Sequence, residues 1–255
     1  MTRVLTAALL VPFVVYTVVW ANPWVFLAVV ALCAVLTYRE YDAIAAAYGF
    51  GAPGVLGYGA GLLLLLIPGG TGAVMIGVAL LALVLALRSA ELAHALPRTA
   101  LLLLGVIYAF GCWRCAIVLH GHGVHWLMYA LLISWTGDTG AYFVGKAFGK
   151  HRMADRVSPK KSWEGAAASV VTSVVLAGAY LVYFTHVDIA QAAVLTALGN
   201  MAGQFGDLVE SAMKRGAGVK DSGGLLPGHG GFLDRVDSAL FVMPVIAGWL
   251  AAASR

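Results

Sequence analysis

One short stretch of the sequence concentrates the side chains that could do chemistry. Between Ser211 and Asp237, glycines separate five cationic residues and three aspartates: Lys214, Arg215, Lys220, His229 and Arg235, and Asp221, Asp234 and Asp237. Cations bind phosphate oxygens, carboxylates bind hard metal ions, and glycines permit close backbone approach. The stretch therefore predicts a site for phosphate and a divalent metal. The alternative is a solvated loop with ordinary flanking charges.

A polar stripe runs along the apolar segment that leads into this stretch. Its members recur every three or four positions: Asn200, Gln204, Asp207, Ser211 and Lys214. Residues at this spacing share one face of a helix. An apolar helix in lipid has no solvated face, so the stripe must line a cavity. Asp207 is its candidate metal ligand.

Two further aspartates open the next apolar segment. Asp234 and Asp237 lie three residues apart, so both carboxylates would project from one side of the first helical turn. Helix capping alone would explain Asp234 but not Asp237 as well. Together with Asp207 they offer three hard oxygen ligands to Mg²⁺. No His/Cys cluster accompanies them, so zinc is not expected.

A second polar region lies between residues 134 and 161. Asp138 shares a helix face with Ser134, and a carboxylate at membrane depth should face a cavity. Asp138 is thus a further candidate metal ligand, or else a structural hydrogen-bonding group between helices. The following segment, Ser158-Pro-Lys-Lys161, could neutralise a polyphosphate through Lys160 and Lys161. The preference for basic residues on the inner side of a membrane could also explain these lysines.

The composition predicts an all-α polytopic membrane protein. Hydrophobic residues make up 61% of the 255 residues and charged residues 11%, whereas soluble proteins carry about 25% charged residues. The mean hydropathy is +0.89. The net charge of +4 does not indicate nucleic-acid binding, because the cations lie in loops between apolar runs. Those runs predict about nine transmembrane helices: 4–20, 24–38, 54–67, 72–88, 99–119, 124–147, 165–184, 189–213 and 234–252.

Basic residues predict the orientation of these helices. With the N-terminus inside, 14 of the 16 basic residues fall in inner loops, which is a strong positive-inside signal. Both charged loops are then cytoplasmic. Polar chemistry is concentrated in the second half of the sequence. We therefore expect residues 1–120 to form scaffold helices and residues 121–255 to form the catalytic helices with the two charged loops.

The charged loops also resemble a known enzyme family. Lys220-Asp221, His229-Gly230-Gly231 and Asp234-Arg235-x-Asp237 are similar to the signature of the phosphatidate cytidylyltransferases, as are Ser158-Pro-Lys-Lys161 and Gly206-Asp207-Leu-x-Glu210-Ser211-x-x-Lys214-Arg215. The resemblance covers about residues 134–238. It implies that CTP and phosphatidic acid give CDP-diacylglycerol and pyrophosphate, with Mg²⁺, in a polytopic enzyme of the bacterial inner membrane. A homodimer is implied by analogy.

The resemblance implies roles for individual residues. Asp207, Asp234 and Asp237 would hold the metal. Phosphates would be bound by the cations Lys160, Lys161, Lys214, Arg215, Lys220 and Arg235 and by the backbone amides around Gly230 and Gly231. Ser158, Asn200, Ser211 and Asp221 would contribute to substrate binding. His229 is either a phosphate donor or a general acid/base, with the second role less necessary because a phosphate monoester is already ionised at neutral pH.

Other functions remain open from the sequence. A CTP-dependent polyprenol kinase, or a synthase acting on ether-lipid phosphates, would use similar residues. An ion-coupled transporter also carries acids in membrane helices, but these would lie near mid-membrane in repeated halves. Here Asp221, Asp234 and Asp237 fall at the inner surface, and the sequence has no convincing repeat.

Overall fold

The structure, a computed structural model, describes residues 2–87, 91–225 and 230–253. These residues form ten α-helices and one antiparallel hairpin. The helices are α1 Thr2–Val19, α2 Pro23–Ala45, α3 Gly54–Leu66, α4 Thr71–Ala86, α5 Ala95–Gly105, α6 Cys112–His122, α7 Val124–Phe148, α8 Trp163–Thr185, α9 Ile189–Gly216 and α10 Leu233–Ala253. The hairpin strands are β1 Arg152–Ala154 and β2 Ser158–Ser162. π-Helical turns follow α2 (Ala46–Phe50) and join α5 to α6 (Val106–Gly111), and a 3₁₀ turn, Leu92–His94, precedes α5.

The prediction of an all-α membrane protein is confirmed. Four helical segments of the described chain are long and apolar enough to cross a bilayer: Pro23–Phe50, Leu92–His122, Trp163–Thr185 and Leu233–Ala253. Three shorter apolar helices accompany them: Ala8–Val19, Gly54–Leu66 and Thr71–Ala86. Large apolar side chains such as Trp24, Val55 and Tyr183 are mostly exposed, as lipid-facing residues are.

Two local features differ from the sequence prediction. The second helix was expected to end at residue 38, but α2 continues to Ala45. Its charged Glu40 is buried inside the protein, so the charge does not mark the end of the helix. The hairpin was not predicted, because strands of three and five residues are too short to show a clear alternation.

The chain folds as two compact units, each assembled from separate stretches. The first comprises Met1–Phe26, Cys115–Ala212 and Arg235–Arg255, and the second comprises Leu27–Arg114 and Met213–Asp234. Each unit therefore combines residues from both halves of the sequence. The functional division predicted at residue 120 stays a prediction.

In the first unit, α7 and α8 pack closely and are joined by the hairpin. Gly140 permits this packing, because a Cβ at that position would lie 2.3 Å from the hydroxyl of Thr172. Ser162 ends the hairpin and caps α8 by accepting a hydrogen bond from the amide of Gly165 at 3.2 Å. The cap fixes the point at which β2 turns into the helix.

The second unit has an aromatic interior, in which Tyr38, Tyr41 and Phe110 are completely buried. The hydroxyl of Tyr41 donates to the carbonyl of Leu101 at 2.9 Å. The indole of Trp113 donates to the hydroxyl of Thr37 at 2.9 Å. These bonds satisfy polar atoms that would otherwise be buried without a partner.

Candidate active site

A cavity of about 630 Å³ lies within the first unit. Residues from α7, the hairpin, α8 and α9 line it, and Ser238 contributes from α10. Asn200, Gln204 and Asp207 are among the lining residues. The expectation that the polar stripe lines a cavity is thus confirmed for these three residues. The volume is in the range found for small-molecule sites.

One wall of the cavity is cationic. Lys146 comes from the last turn of α7, and the hairpin contributes Arg152, Lys160 and Lys161. Lys146, Arg152 and Lys160 are exposed. The predicted phosphate ligands Lys160 and Lys161 therefore face one space, together with Lys146 and Arg152. Four positive charges around one cavity favour a polyanionic ligand.

Acidic residues line the same cavity or lie close to it. Asp138 and Asp207 line the cavity, and the carboxylate of Asp237 is near enough to both for their charges to repel. Glu210 adds to the repulsion on Asp237. Asp138 is also attracted by Lys161 and Arg235. The first unit thus combines three of the predicted acids, with Glu210 as a fourth.

Helix packing explains why Asp207 and Asp237 approach each other. Gly206 lies beside α10, and a Cβ there would meet the backbone oxygen of Asp237 at 2.6 Å. One turn earlier, a Cβ on Gly203 would lie 2.5 Å from the hydroxyl of Ser238. Two glycines on one face of α9 therefore allow the two backbones to pack closely, which brings the adjacent carboxylates together.

One ion pair connects the acidic and cationic groups. The Lys161 ammonium lies 2.6 Å from a carboxylate oxygen of Asp207. The Ser211 hydroxyl donates to the other oxygen at 3.3 Å. Both members of the pair remain partly accessible, with side chains 26% and 37% exposed. A ligand can therefore compete for either charge.

The floor of the cavity is a network of neutral polar groups. The amide nitrogen of Asn200 donates to the hydroxyls of Ser169 and Ser173, at 3.0 and 2.9 Å. Gln204 donates to the Asn200 carbonyl oxygen at 2.7 Å and to the backbone oxygen of Ala166 at 3.1 Å. A network of amides whose donors are satisfied holds a rigid shape. Asn200, predicted to bind substrate, is at least a fixed part of the cavity.

Within the second unit, Asp234 lies in the first turn of α10, and its carboxylate contacts three neighbouring groups. Its carboxylate forms an ion pair with Lys214, and the two side chains are only 9% and 10% exposed. It also accepts the backbone amides of Ser222 at 3.1 Å and Gly231 at 2.8 Å. Asp234 therefore closes the loop that precedes α10.

A second carboxylate, Glu40 on α2, also binds this loop. It accepts hydrogen bonds from the Ser222 hydroxyl at 2.7 Å and from the amides of Phe232 and Leu233 at 2.9 and 2.7 Å. No motif in the sequence around Glu40 predicts this role. The available signal was an acidic residue at the end of an apolar run, which resembles an ordinary boundary charge.

The remaining predicted residues are spread over both units. Ser158 begins β2. Arg215 donates to the carbonyl of Val219 at 3.1 Å, and Lys220 and Asp221 are exposed. Gly230 has a φ of +79°, which glycine adopts without strain. His229 lies outside the described residues.

The acids present fit a hard divalent cation in type. Oxygen ligands suit Mg²⁺, and added positive charge would relieve the repulsion around Asp237. Over the described ranges, however, no three His, Cys, Asp or Glu side chains stand ready to coordinate an ion together. The lysines explain part of this, because Lys161 and Lys214 already neutralise Asp207 and Asp234.

Comparisons with known proteins agree with this chemistry. A family model described as the cytidylyltransferase family matches residues 1–252. A phosphatidate cytidylyltransferase of Bacillus subtilis is 43% identical over 152 residues, covering 58% of this chain and 56% of the relative. One of Staphylococcus aureus is 47% identical over 126 residues, covering 49% and 48%. The chain spans about half the length of the curated relatives it matches.

Proposed function

Because the chain belongs to the cytidylyltransferase family, we propose that it transfers a cytidylyl group from CTP to phosphatidic acid. The products are CDP-diacylglycerol and pyrophosphate, for phospholipid biosynthesis. The observation that carries this proposal is the cavity of the first unit. It brings the cations of the hairpin and the aspartates of α7 and α9 to one space in a protein built of apolar helices.

The reaction needs charge neutralisation more than it needs a base. A phosphate oxygen of the lipid attacks the α-phosphorus of CTP, and the bond from that phosphorus to the bridging oxygen of pyrophosphate breaks. Both reactants are anions, so their approach must be made favourable by positive charge. Lys146, Arg152, Lys160 and Lys161 supply it. A phosphate monoester is largely ionised at neutral pH, so it attacks without first losing a proton.

The Lys161–Asp207 pair gives the site a defined response to its substrate. Without nucleotide, the two charges satisfy each other at 2.6 Å. When phosphate oxygens enter the cavity, the Lys161 ammonium exchanges the Asp207 carboxylate for them, because a phosphate group carries more negative charge than one carboxylate. The Asp207 carboxylate is then available to another cation.

Asp138, Asp207 and Asp237 would hold Mg²⁺ in the first unit, as hard oxygen ligands. The ion would supply positive charge to the α-phosphate and to the leaving pyrophosphate. The role of Asp234 as a metal ligand is a further part of the proposal. The contacts of Asp234 with Lys214, Ser222 and Gly231 support a role in shaping the loop.

Phosphate binding by residues of the second unit is a separate part of the proposal. Arg215, Lys220, Gly230 and Gly231 lie in or beside the loop before α10, and the side chains of Arg215 and Lys220 are exposed to solvent. Asp221 and His229 complete the predicted set. Arg235 is the first residue of the segment of α10 that belongs to the first unit. The charge of its guanidinium attracts the carboxylate of Asp138.

We further propose nine membrane crossings and an active site facing the cytoplasm of a bacterial inner membrane. The distribution of basic residues supports this orientation. Phosphatidic acid lies in the bilayer and CTP in the cytoplasm, so a site at the inner surface reaches both. A homodimer remains part of the proposal by analogy with the family.

Product analysis tests the proposed reaction directly. Purified protein is incubated with Mg²⁺, phosphatidic acid and CTP labelled in the cytosine ring. The expected result is label in the organic phase and one pyrophosphate released for each labelled lipid. Release of CDP with unlabelled lipid would instead identify a kinase. If neither labelled lipid nor pyrophosphate were formed, the proposal would be contradicted. An ether-lipid phosphate, offered as a competing acceptor, tests substrate preference.

A further inference from the structure

The strongest unexplained feature is a buried acid in the N-terminal half of the chain. Glu40 lies on α2 and is only 6% exposed. We propose that Glu40 is a positioning residue, which fixes the two ends of the glycine-rich loop before α10. The kinetic consequence rests on the proposed function, whereas the structural part stands by itself.

Three hydrogen bonds define the contact. One carboxylate oxygen of Glu40 accepts from the Ser222 hydroxyl at 2.7 Å and the Leu233 amide at 2.7 Å. The other oxygen accepts from the Phe232 amide at 2.9 Å. Leu233 is the first residue of α10, so a charged acceptor meets free amides at a helix N-terminus. Such bonds are stronger than those between neutral groups.

Two glycines of the loop lie directly against this carboxylate. A Cβ on Gly231 would lie 2.4 Å from one Glu40 oxygen and 2.0 Å from the Ser222 hydroxyl. A Cβ on Gly223 would lie 2.6 Å from the other oxygen. Real side chains do not approach so closely. Two glycines of the predicted phosphate-binding loop are therefore required by Glu40.

Glu40 and Asp234 act on the same loop ends. Asp234 accepts the backbone amides of Ser222 and Gly231, and Glu40 accepts the Ser222 hydroxyl together with the two amides that follow Gly231. Ser222 is thus held by both acids. At the other end of the loop, Asp234 holds Gly231 and Glu40 holds the two residues that follow it. Because Asp234 also pairs with Lys214, the position of Glu40 affects two residues that the sequence assigns to the site.

A carboxylate, and not an amide, is required here. Each oxygen of Glu40 faces a backbone N–H that cannot turn away. In Glu40→Gln, either orientation of the new amide directs an NH₂ group at one of these donors. An unsatisfied buried donor then remains. The shorter Glu40→Asp keeps both acceptors and should restore part of the anchoring.

Asp42 offers a matched control on the same helix. Its carboxylate accepts the amide of Gly54 at 2.8 Å, at the start of α3. Asp42→Asn therefore makes the same chemical change at another helix N-terminus and leaves the loop untouched. The experiment compares Glu40→Gln, Glu40→Asp and Asp42→Asn in the full-length protein. The measurements are hydrogen exchange, thermal unfolding and steady-state kinetics with CTP and phosphatidic acid.

We expect faster exchange at the amides of Phe232 and Leu233 in Glu40→Gln, with partial protection restored in Glu40→Asp. Turnover should fall by about tenfold or more in Glu40→Gln and recover in part in Glu40→Asp. The unfolding temperature should fall further in Glu40→Gln than in Asp42→Asn, because only Glu40→Gln leaves a buried donor unsatisfied. Unchanged exchange at these amides would overturn the anchoring. Lost protection with normal turnover would overturn the role in catalysis. An inactive wild type would refute the proposed function instead, and exchange would still decide the structural claim.

Discussion

The Lys161 ammonium lies 2.6 Å from the Asp207 carboxylate and joins the hairpin to α9. Both side chains are partly exposed, so the pair contributes little to stability. Its importance lies in the cavity that both residues line. Each is predicted to bind part of the same substrate complex, and each neutralises the other until that complex arrives.

The first prediction compares the two lysines of this segment. Lys161→Ala should lower kcat/KM for CTP by about a hundredfold, because it removes both a phosphate ligand and the partner of Asp207. Lys160→Ala removes an exposed cation without that pair and should have a smaller effect, about tenfold or less. Steady-state kinetics on both variants checks this. Equal losses would show that the ion pair has no special role.

The second prediction concerns repulsion among the acids. Asp237→Asn should abolish most turnover yet leave the metal-free protein as stable as wild type or more stable, because one of several repelling charges is removed. Thermal unfolding in a chelator measures stability, and a Mg²⁺ titration measures activity. Asp155→Asn, in the exposed turn of the hairpin, is the control. Near-normal turnover in Asp237→Asn would contradict metal binding there.

The third prediction concerns the buried ion pair of the second unit. Lys214→Ala leaves Asp234 without its lysine and should destabilise the protein by about 3–5 kcal/mol. Lys214→Arg keeps the charge and should retain more stability and more turnover. The double variant Lys214→Ala/Asp234→Asn should recover stability but not activity. Thermal unfolding of all three is the measurement, and additive effects would show that the two residues are not coupled.

The fourth prediction tests the helix contact that brings Asp207 and Asp237 together. Gly206→Ala places a methyl group 2.6 Å from the Asp237 backbone oxygen, so the helices must separate. We expect the free energy of unfolding to fall by about 1–3 kcal/mol. We also expect kcat to fall by a larger factor than KM rises. Gly248→Ala, on α10 with open space around it, is the matched control. Equal behaviour of the two variants would refute the packing argument.

The features that the sequence predicted well depend on local periodicity. The 3–4 spacing of the polar stripe placed Asn200, Gln204 and Asp207 on one side of α9, and all three line the cavity. The long apolar runs predicted a helical membrane protein, because the mean hydropathy of a run of about 20 residues is enough to identify a membrane-spanning helix. Local spacing does not show which charges pair. The ion pairs Lys161–Asp207 and Lys214–Asp234 each join residues on different secondary-structure elements. They can be recognised only from the three-dimensional structure.

Glu40 shows the limit of the sequence most clearly. Its partners lie 182, 192 and 193 residues further along the chain, and no pattern near residue 40 points to them. Arg152 was missed for a related reason. It enters the cavity wall because a short hairpin turns back between α7 and α8, and that hairpin has too few residues to be recognised by alternation.

The distance along the chain between Glu40 and Leu233 has a consequence for biosynthesis. The loop cannot take up its shape from the residues around it, because one of its two anchoring acids is made early and the other only when α10 begins to emerge. Contacts of such long range form late. A nascent chain in which α10 has not yet been made therefore lacks the amides of Phe232 and Leu233 that Glu40 binds. The second unit acquires this anchored geometry only after α10 has begun to form.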